Sequence, residues 1–332
     1  MRLTLRPLAK TLLALTTATA AVAAATLPAQ AYRVFVSNEK DNTISVIDGI
    51  KNEVISTIKT GQRPRGIALS PDNKQLYVCA SDDHTIQVFD TETLQYIRNL
   101  PSGSDPELLA VHPSGKSLYV ANEDDNLVTV VDIEKGQVIT EVPVGVEPEG
   151  MGISPDGKIV VNTSETTNMA HFIDTATKTT VANVLVDNRP RVAEFTSDGK
   201  EVWVSAEIGG TITIIDAADH KIRDKITFDI PGVTKDAIQP VGVRMTKDRK
   251  WAFVALGPAN RVAVIDVATR KVDRYILVGQ RVWNLALTPD DKFVYTTNGT
   301  SNDVTVIDVA SLKALKSIPT GRYPWGVVIK PN

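Results

Sequence analysis

The sequence predicts an all-β fold: a seven-bladed β-propeller of four-stranded antiparallel blades, closed by the N-terminal strand pairing in the last blade. Three ladders carry that reading. Seven apolar runs each end in an aspartate, at Asp48, Asp90, Asp132, Asp174, Asp216, Asp266 and Asp308. The first five are 42 residues apart, the next step is 50, and the last is 42 again. A second ladder is the turn Gly61-Gln62-Arg63-Pro64-Arg65-Gly66, which recurs at Gly103 to Leu108, Gly145 to Gly150 and Gly321 to Gly326. The third is Ser70-Pro71-Asp72-Asn73-Lys74, with counterparts at His112 to Lys116 and Ser154 to Lys158. A fixed period in this range marks a repeat architecture.

Each repeat encodes four short strands. In the first they are Ile44 to Ile47, Val54 to Ile58, Gly66 to Leu69 and Leu76 to Val78, rich in β-branched residues and bounded by Gly, Pro, Asp or Asn. Alternation with period two is visible in Thr43-Ile44-Ser45-Val46 and Thr211-Ile212-Thr213-Ile214. No stretch after residue 31 shows capped helical periodicity. A lone four-stranded sheet cannot bury both of its faces, whereas a ring of sheets can, and leaves only short edges. A solenoid would need capping repeats with polar outer faces, and none is present in the sequence.

Closure is legible as well. The last repeat ends at Val327-Val328-Ile329-Lys330, one strand short, and Arg33-Val34-Phe35-Val36 aligns with Leu76-Tyr77-Val78 one period earlier. The N-terminal strand therefore completes the last blade. The longer step places eight extra residues within Phe228 to Gln239, before Pro240. They are expected to overhang the face that carries the Gly-x-x-Pro turns, where such insertions often serve binding.

Residues 1–31 read as a cleavable signal peptide. Arg2, Arg6 and Lys10 precede the apolar, alanine-rich stretch Thr11 to Ala25, and Ala29-Gln30-Ala31 is a small-x-small cleavage site. A periplasmic or secreted protein follows, with no membrane span after cleavage. The propeller then occupies 32–332. The formal net charge of −3 gives no basic field for nucleic acid. The single cysteine, Cys79, rules out an intrachain disulfide and reads as a buried, inert thiol. A monomer is expected.

Tyr119-Val120-Ala121-Asn122 and Val294-Tyr295-Thr296-Thr297-Asn298, with Ser154 to Lys158 and Thr305-Val306-Ile307-Asp308, resemble the consensus pieces of the YVTN family of β-propeller repeats. Gly232 to Val243, Trp251 to Asp266 and Gly279 to Asn284 further resemble the pyrroloquinoline quinone-dependent catabolism-associated β-propellers. That resemblance implies an association with quinoprotein alcohol oxidation; it brings no established reaction and no catalytic residues.

If the strand after each Gly-x-x-Pro turn is innermost, those turns ring one mouth of the channel. The residues after the proline register are then Arg65, Glu107, Glu149, Arg191, Val241, Trp283 and Trp325, and those before it Arg63, Asp105, Glu147, Arg189, Gln239, Arg281 and Tyr323. An acidic sector and a basic, aromatic sector result. The candidate binding residues are Arg63, Arg65, Glu107, Glu149, Arg191, Arg281, Trp283, Tyr323 and Trp325. A flat aromatic acid or quinone would stack on a tryptophan while arginine forks grip its carboxylates. The alternative is that the charges pair between neighbouring blades and the tryptophans plug the hole. Along the inner strands, Ala68, Ala110, Gly152 and Ala286 suit crowding at the axis, and Glu194 with Arg244 are expected to pair there.

Other chemistry is absent from the sequence. There is no Cys-x-x-Cys-His, Gly-x-Ser-x-Gly elbow or phosphate loop. His84, His112, His171 and His220 match no zinc spacing, and His112 and His171 stand at turn and strand positions that suit structural roles. The acidic loops at Asp82-Asp83 and Glu123-Asp124-Asp125 read as solvated. No metal and no cofactor are expected in the chain itself. The expected role is a non-enzymatic accessory or binding protein for a quinoprotein system, its partner a dehydrogenase, a redox protein or a small aromatic or anionic ligand. A metal-dependent lactonase with its site at the same mouth, and a cell-surface structural or adhesion propeller, are the alternatives.

Overall fold

The computed structural model describes residues 32–331; the predicted signal peptide lies outside them. The described chain forms seven four-stranded antiparallel sheets. Blade 1 comprises Pro64–Leu69, Gln75–Ala80, Thr85–Asp90 and Tyr96–Pro101. Blades 2 to 6 repeat this over 106–143, 148–185, 190–227, 243–277 and 282–319. Blade 7 takes its inner strand from the C-terminus, Pro324–Pro331, and the other three from the N-terminus: Tyr32–Asn38, Thr43–Asp48 and Glu53–Lys59. Phe35 lies opposite Val328, the register that the repeat predicts. No helix among the described residues is long and apolar enough to cross a membrane.

The aspartate ladder has a mechanical cause. Asp48 Oδ1 accepts the backbone N–H groups of Ile50 and Lys51, both at 2.9 Å, and Asp90 Oδ1 does the same for Glu92 at 2.9 Å and Thr93 at 2.7 Å. Each aspartate thus pins the hairpin into the outermost strand, an Asx turn that ends in a left-handed residue such as Asn52, Leu94 or Gly136. Those hydrogen bonds hold the Asp48 and Asp90 carboxyls below the ordinary carboxylate range.

The core lies between the blades. Seven apolar clusters straddle the seven interfaces, among them Phe35, Ile44, Leu76 and Phe89 between blades 7 and 1, and Val34, Ile47, Tyr295 and Val306 between blades 6 and 7. Each such side chain removed from water contributes about 1.5–3 kcal/mol. At the axis the inner strands of neighbouring blades touch one another. A Cβ on Gly150 would collide with the Arg191 carbonyl oxygen, so this approach requires glycine. Ser37, Thr163, Ser205 and Thr297 tie the blades together, their hydroxyls donating to the carbonyls of Arg65 at 2.7 Å, Arg191 at 2.8 Å, Val241 at 2.6 Å and Trp325 at 2.7 Å. Cys79 lies fully buried, and burial pushes its thiol well up, in keeping with an inert role.

The insertion divides between core and surface. Phe228, Ile230 and Ile238 turn inward and join Trp203, Val243 and Val254 in the core between blades 4 and 5. Pro231, Gly232, Thr234, Lys235 and Asp236 stay exposed, with Lys235 and Asp236 beside Ile208, Gly209 and Gly210.

Candidate functional site

The site is built first by the backbone. Arg63, Asp105, Glu147, Arg189, Arg281 and Tyr323 all adopt the left-handed conformation, with φ between 50° and 58°, a region that side-chain-bearing residues seldom occupy. What holds them there is a second ring. Their N–H groups donate, in order, to Asn42 Oδ1 (3.0 Å), His84 Nδ1 (3.1 Å), Asn126 Oδ1 (3.1 Å), Asn168 Oδ1 (3.0 Å), Asn260 Oδ1 (2.8 Å) and Asn302 Oδ1 (2.9 Å). His84 therefore substitutes for an asparagine. A further set of contacts fixes the glycine of four turns: among them Gly61 N–H donates to Gln87 Oε1 at 2.7 Å and Gly145 N–H to His171 Nε2 at 2.9 Å. With Nε2 accepting, His171 donates through Nδ1 to Asn183 Oδ1 at 2.6 Å, and burial lowers its pKa. His112 is likewise occupied, by Ser114 Oγ at 2.7 Å and the Gly157 carbonyl at 3.0 Å.

These rings aim the side chains. Arg65 lies over Trp325 at 4.8 Å and donates to Glu107 Oε1 at 2.7 Å, while Arg191 donates to Glu149 Oε1 at 2.8 Å. Glu107, Glu149, Arg191, Val241 and Trp325 are buried. Trp283, half-buried, lies under Arg281 at 4.4 Å. The residues after the proline register thus plug the channel. One nitrogen of the Arg65 fork, Nη1, is engaged by Glu107.

Above this plug two ion networks form. In the first, Arg63 contacts Asp82 (2.8 Å), Asp105 and Glu107 (3.2 Å), and Arg65 contacts Glu107. In the second, Arg191 contacts Glu149, Glu165 and Glu207 (3.5 Å); Arg189 contacts Glu165 (2.8 Å) and Glu207 (3.2 Å); and Arg281 reaches Glu207 at 3.5 Å. Burial opposes the Arg65 and Arg191 charges, but the surrounding glutamates outweigh it and hold both above the ordinary arginine value. Burial pushes Glu165 up to about 7 against the pull of Arg191, and pushes Glu107 well up against Arg65. Buried polar atoms without a hydrogen-bond partner gather at this mouth: Arg65 Nε, Arg191 Nε, Glu107 Oε2, Trp283 Nε1 and Trp325 Nε1. Buried polar groups are ordinarily satisfied, and these five stand out against that rule.

Sequence reasoning missed Glu39, Glu165 and Glu207, and it read Glu123 as part of a solvated loop, whereas that side chain is half-buried beside Asp105 and Glu107. Glu39, Glu123, Glu165 and Glu207 share one register, at intervals of 84, 42 and 42 residues. Their N–H groups bind the carbonyls of Tyr323 (2.9 Å), Asp105 (3.0 Å), Glu147 (2.8 Å) and Arg189 (2.8 Å). The signal was present as a fourth ladder. At the other end of the channel Glu194 Oε2 accepts from Arg244 Nη1 at 3.1 Å, beside a cavity of about 240 Å³ lined by Ala110, Met151, Gly152, Ala193 and Phe195.

The model of the choice-of-anchor I domain matches residues 124–294, just over half of the sequence. The chain belongs to the choice-of-anchor I domain family. Residues 29–143 match the model described as lactonase, 7-bladed beta-propeller. With its sheet topology, this choice-of-anchor I protein is a seven-bladed propeller of the lactonase/YVTN type. No curated protein matches its sequence. Among solved structures, Kuenenia stuttgartiensis hydrazine synthase is similar with a TM-score of 0.77 at 24% identity, covering 83% of this chain and 92% of that one. A putative 6-phosphogluconolactonase from Bacteroides uniformis gives 0.76 at 16%, covering 91% and 100%. Dihydro-heme d1 dehydrogenase NirN gives 0.68 at 17%, covering 92% and 78%. At these identities the likeness speaks to the fold alone.

Proposed function

We propose that the chain is an exported binding propeller, an accessory to a quinoprotein alcohol-oxidation system, which meets a partner through the face formed by the Gly-x-x-Pro turns. The observation that carries this reading is the plugged mouth. The channel is closed by buried, mutually paired side chains, so recognition falls to the charged and aromatic groups above them. Tyr323 is 38% exposed, and the Arg189 and Asp82 side chains 47% and 53%. They sit on left-handed turns fixed by the asparagine ring, or, for Asp82, in the adjoining hairpin. Rigid presentation of aromatic and arginine groups suits partner binding, because little side-chain order remains to be lost. The quinoprotein link rests on the resembling stretches named above.

The test is capture of partners from cells that export the protein while growing on an alcohol. Wild type should retain a dehydrogenase or cytochrome that the Tyr323→Ala/Arg189→Glu double variant loses. Equal retention, or recovery of neither class, removes this reading. A second reading, a metal-assisted lactonase, is favoured by one observation: Asp105, Glu107 and Glu123 converge at the same mouth.

A further inference from the structure

The two ion networks differ in charge balance. In the second, Arg189, Arg191 and Arg281 face Glu149, Glu165 and Glu207, so charges cancel. In the first, Arg63 and Arg65 face Asp82, Asp105 and Glu107, with Glu123 alongside. Two negative charges are left over, and they fall where carboxylates crowd. One oxygen each from Asp105, Glu107 and Glu123 lies within 4.8 Å of the others.

Glu107 makes this more than an acidic cluster. Its side chain is wholly buried, and both arginines engage the same oxygen, Oε1. Oε2 has no donor at all. The neighbouring acceptor is a further carboxylate: an oxygen of Glu123 lies within 4.8 Å of one of Glu107. A buried carboxylate oxygen facing another carboxylate is costly unless something positive stands between them.

We propose that Asp105, Glu107 and Glu123 bind one divalent cation of the hard, oxygen-seeking class, calcium or manganese. Its charge cancels the local excess of two. The three side chains supply carboxylate oxygens from two rigid positions: Asp105 and Glu107 flank Pro106 on a left-handed turn, and Glu123 begins the hairpin whose N–H binds the Asp105 carbonyl at 3.0 Å. Such ions take six to eight oxygens, and water completes the shell on the open side, where Asp105 and Glu123 are half-exposed. The cation supplies the counter-charge that Glu107 Oε2 lacks, since both arginines stand on Oε1.

The assay is electron paramagnetic resonance of manganese with the purified chain, stripped of metal and titrated at pH 8. About one ion per chain should lose its free-ion signal, and excess calcium should restore that signal. At a hundredfold excess over Kd the melting temperature should rise by about 4 °C. Glu123→Gln, whose side chain is half-exposed, should abolish both effects while the chain stays folded by circular dichroism. Glu147→Gln, on the same face but outside the trio, should leave both intact. Absence of bound manganese at 1 mM total ion, a figure about the weakest range of natural calcium sites, would overturn the proposal. So would binding that survives Glu123→Gln. Partner capture plays no part in either readout, so this result and that of the capture experiment stand separately.

Discussion

Arg191→Met probes the balanced network at its centre. Arg191 is 3% exposed and serves Glu149, Glu165 and Glu207, themselves 2%, 5% and 4% exposed. Methionine keeps much of the volume but leaves those three with Arg189 and Arg281 at the rim. Removing one member of a buried ion pair costs about 3–5 kcal/mol. With an unfolding entropy of about 2.1 cal/mol/K per residue over roughly 300 residues, that is a fall in melting temperature of about 5–8 °C. The loss has a pH signature. Burial already holds the Glu165 carboxyl above its unfolded value, and Arg191 is the charge that pulls it back. A group of that kind contributes stability present below the unfolded pKa and lost as pH rises through the folded one. Glu165, already at about 7 beside Arg191, moves higher still. The deficit relative to wild type should therefore be smallest near pH 5 and grow as pH rises through 7 to 8, read from calorimetric scans at one scan rate. A loss below about 2 °C at pH 8, or one equal at both pH values, would refute the charge argument.

Two further outcomes follow from the fold. A chain beginning at Glu39 loses the second strand of blade 7 and with it the buried Tyr32, Val34, Phe35 and Val36; at about 1.5–3 kcal/mol each this rivals the whole stability of a domain, about 5–15 kcal/mol, and limited proteolysis should find it unfolded. His171→Gln keeps the acceptor for Gly145, as Gln87 does for Gly61 at 2.7 Å. His171 has a folded pKa below its unfolded value, so its stability is present above about 6.5 and is lost as pH falls. The variant should match wild type within about 1 kcal/mol at pH 8 and lose less stability than wild type between pH 6.5 and 5 in urea titrations.

The architecture was legible because every structural demand recurs. An aspartate that pins a hairpin, a proline register and a turn each repeat seven-fold or nearly so, and Phe35 could be placed opposite Val328 by counting alone. The candidate site was legible only in part. Counting identified which residues stand on either side of the proline register, and the candidate arginines and glutamates meet in the two ion networks. It could not say whether the arginines face inward to a ligand or sideways to a neighbour, because that depends on the lateral distance between blades. Arg65 is 2.7 Å from Glu107 because the inner strands touch. Glu123, Glu165 and Glu207 were hidden for another reason: the same register holds Ser81, Gly257 and Gly299, so no single residue type marks the ladder. The insertion's position was legible from its length, but length alone does not reveal that Phe228, Ile230 and Ile238 have a core to enter.

The two halves of the mouth have different physical jobs. Blades 3, 4 and 6 contribute a network in which three arginines and three glutamates cancel, which fixes geometry without reserving charge for anything outside. Blades 1 and 2 contribute one that does not cancel, around a buried oxygen without a donor. Evenly repeated blades would give an evenly charged ring. The ring is uneven because Glu107 and Glu149 stand next to each other where Arg65 and Arg191 flank them, so the like-charged pair meets at the boundary between blades 2 and 3 and Glu149 leans on Arg191. Glu107 is left with a surplus that its two arginines meet on one side only. Whatever the chain binds at this face, its charge should be positive over blades 1 and 2.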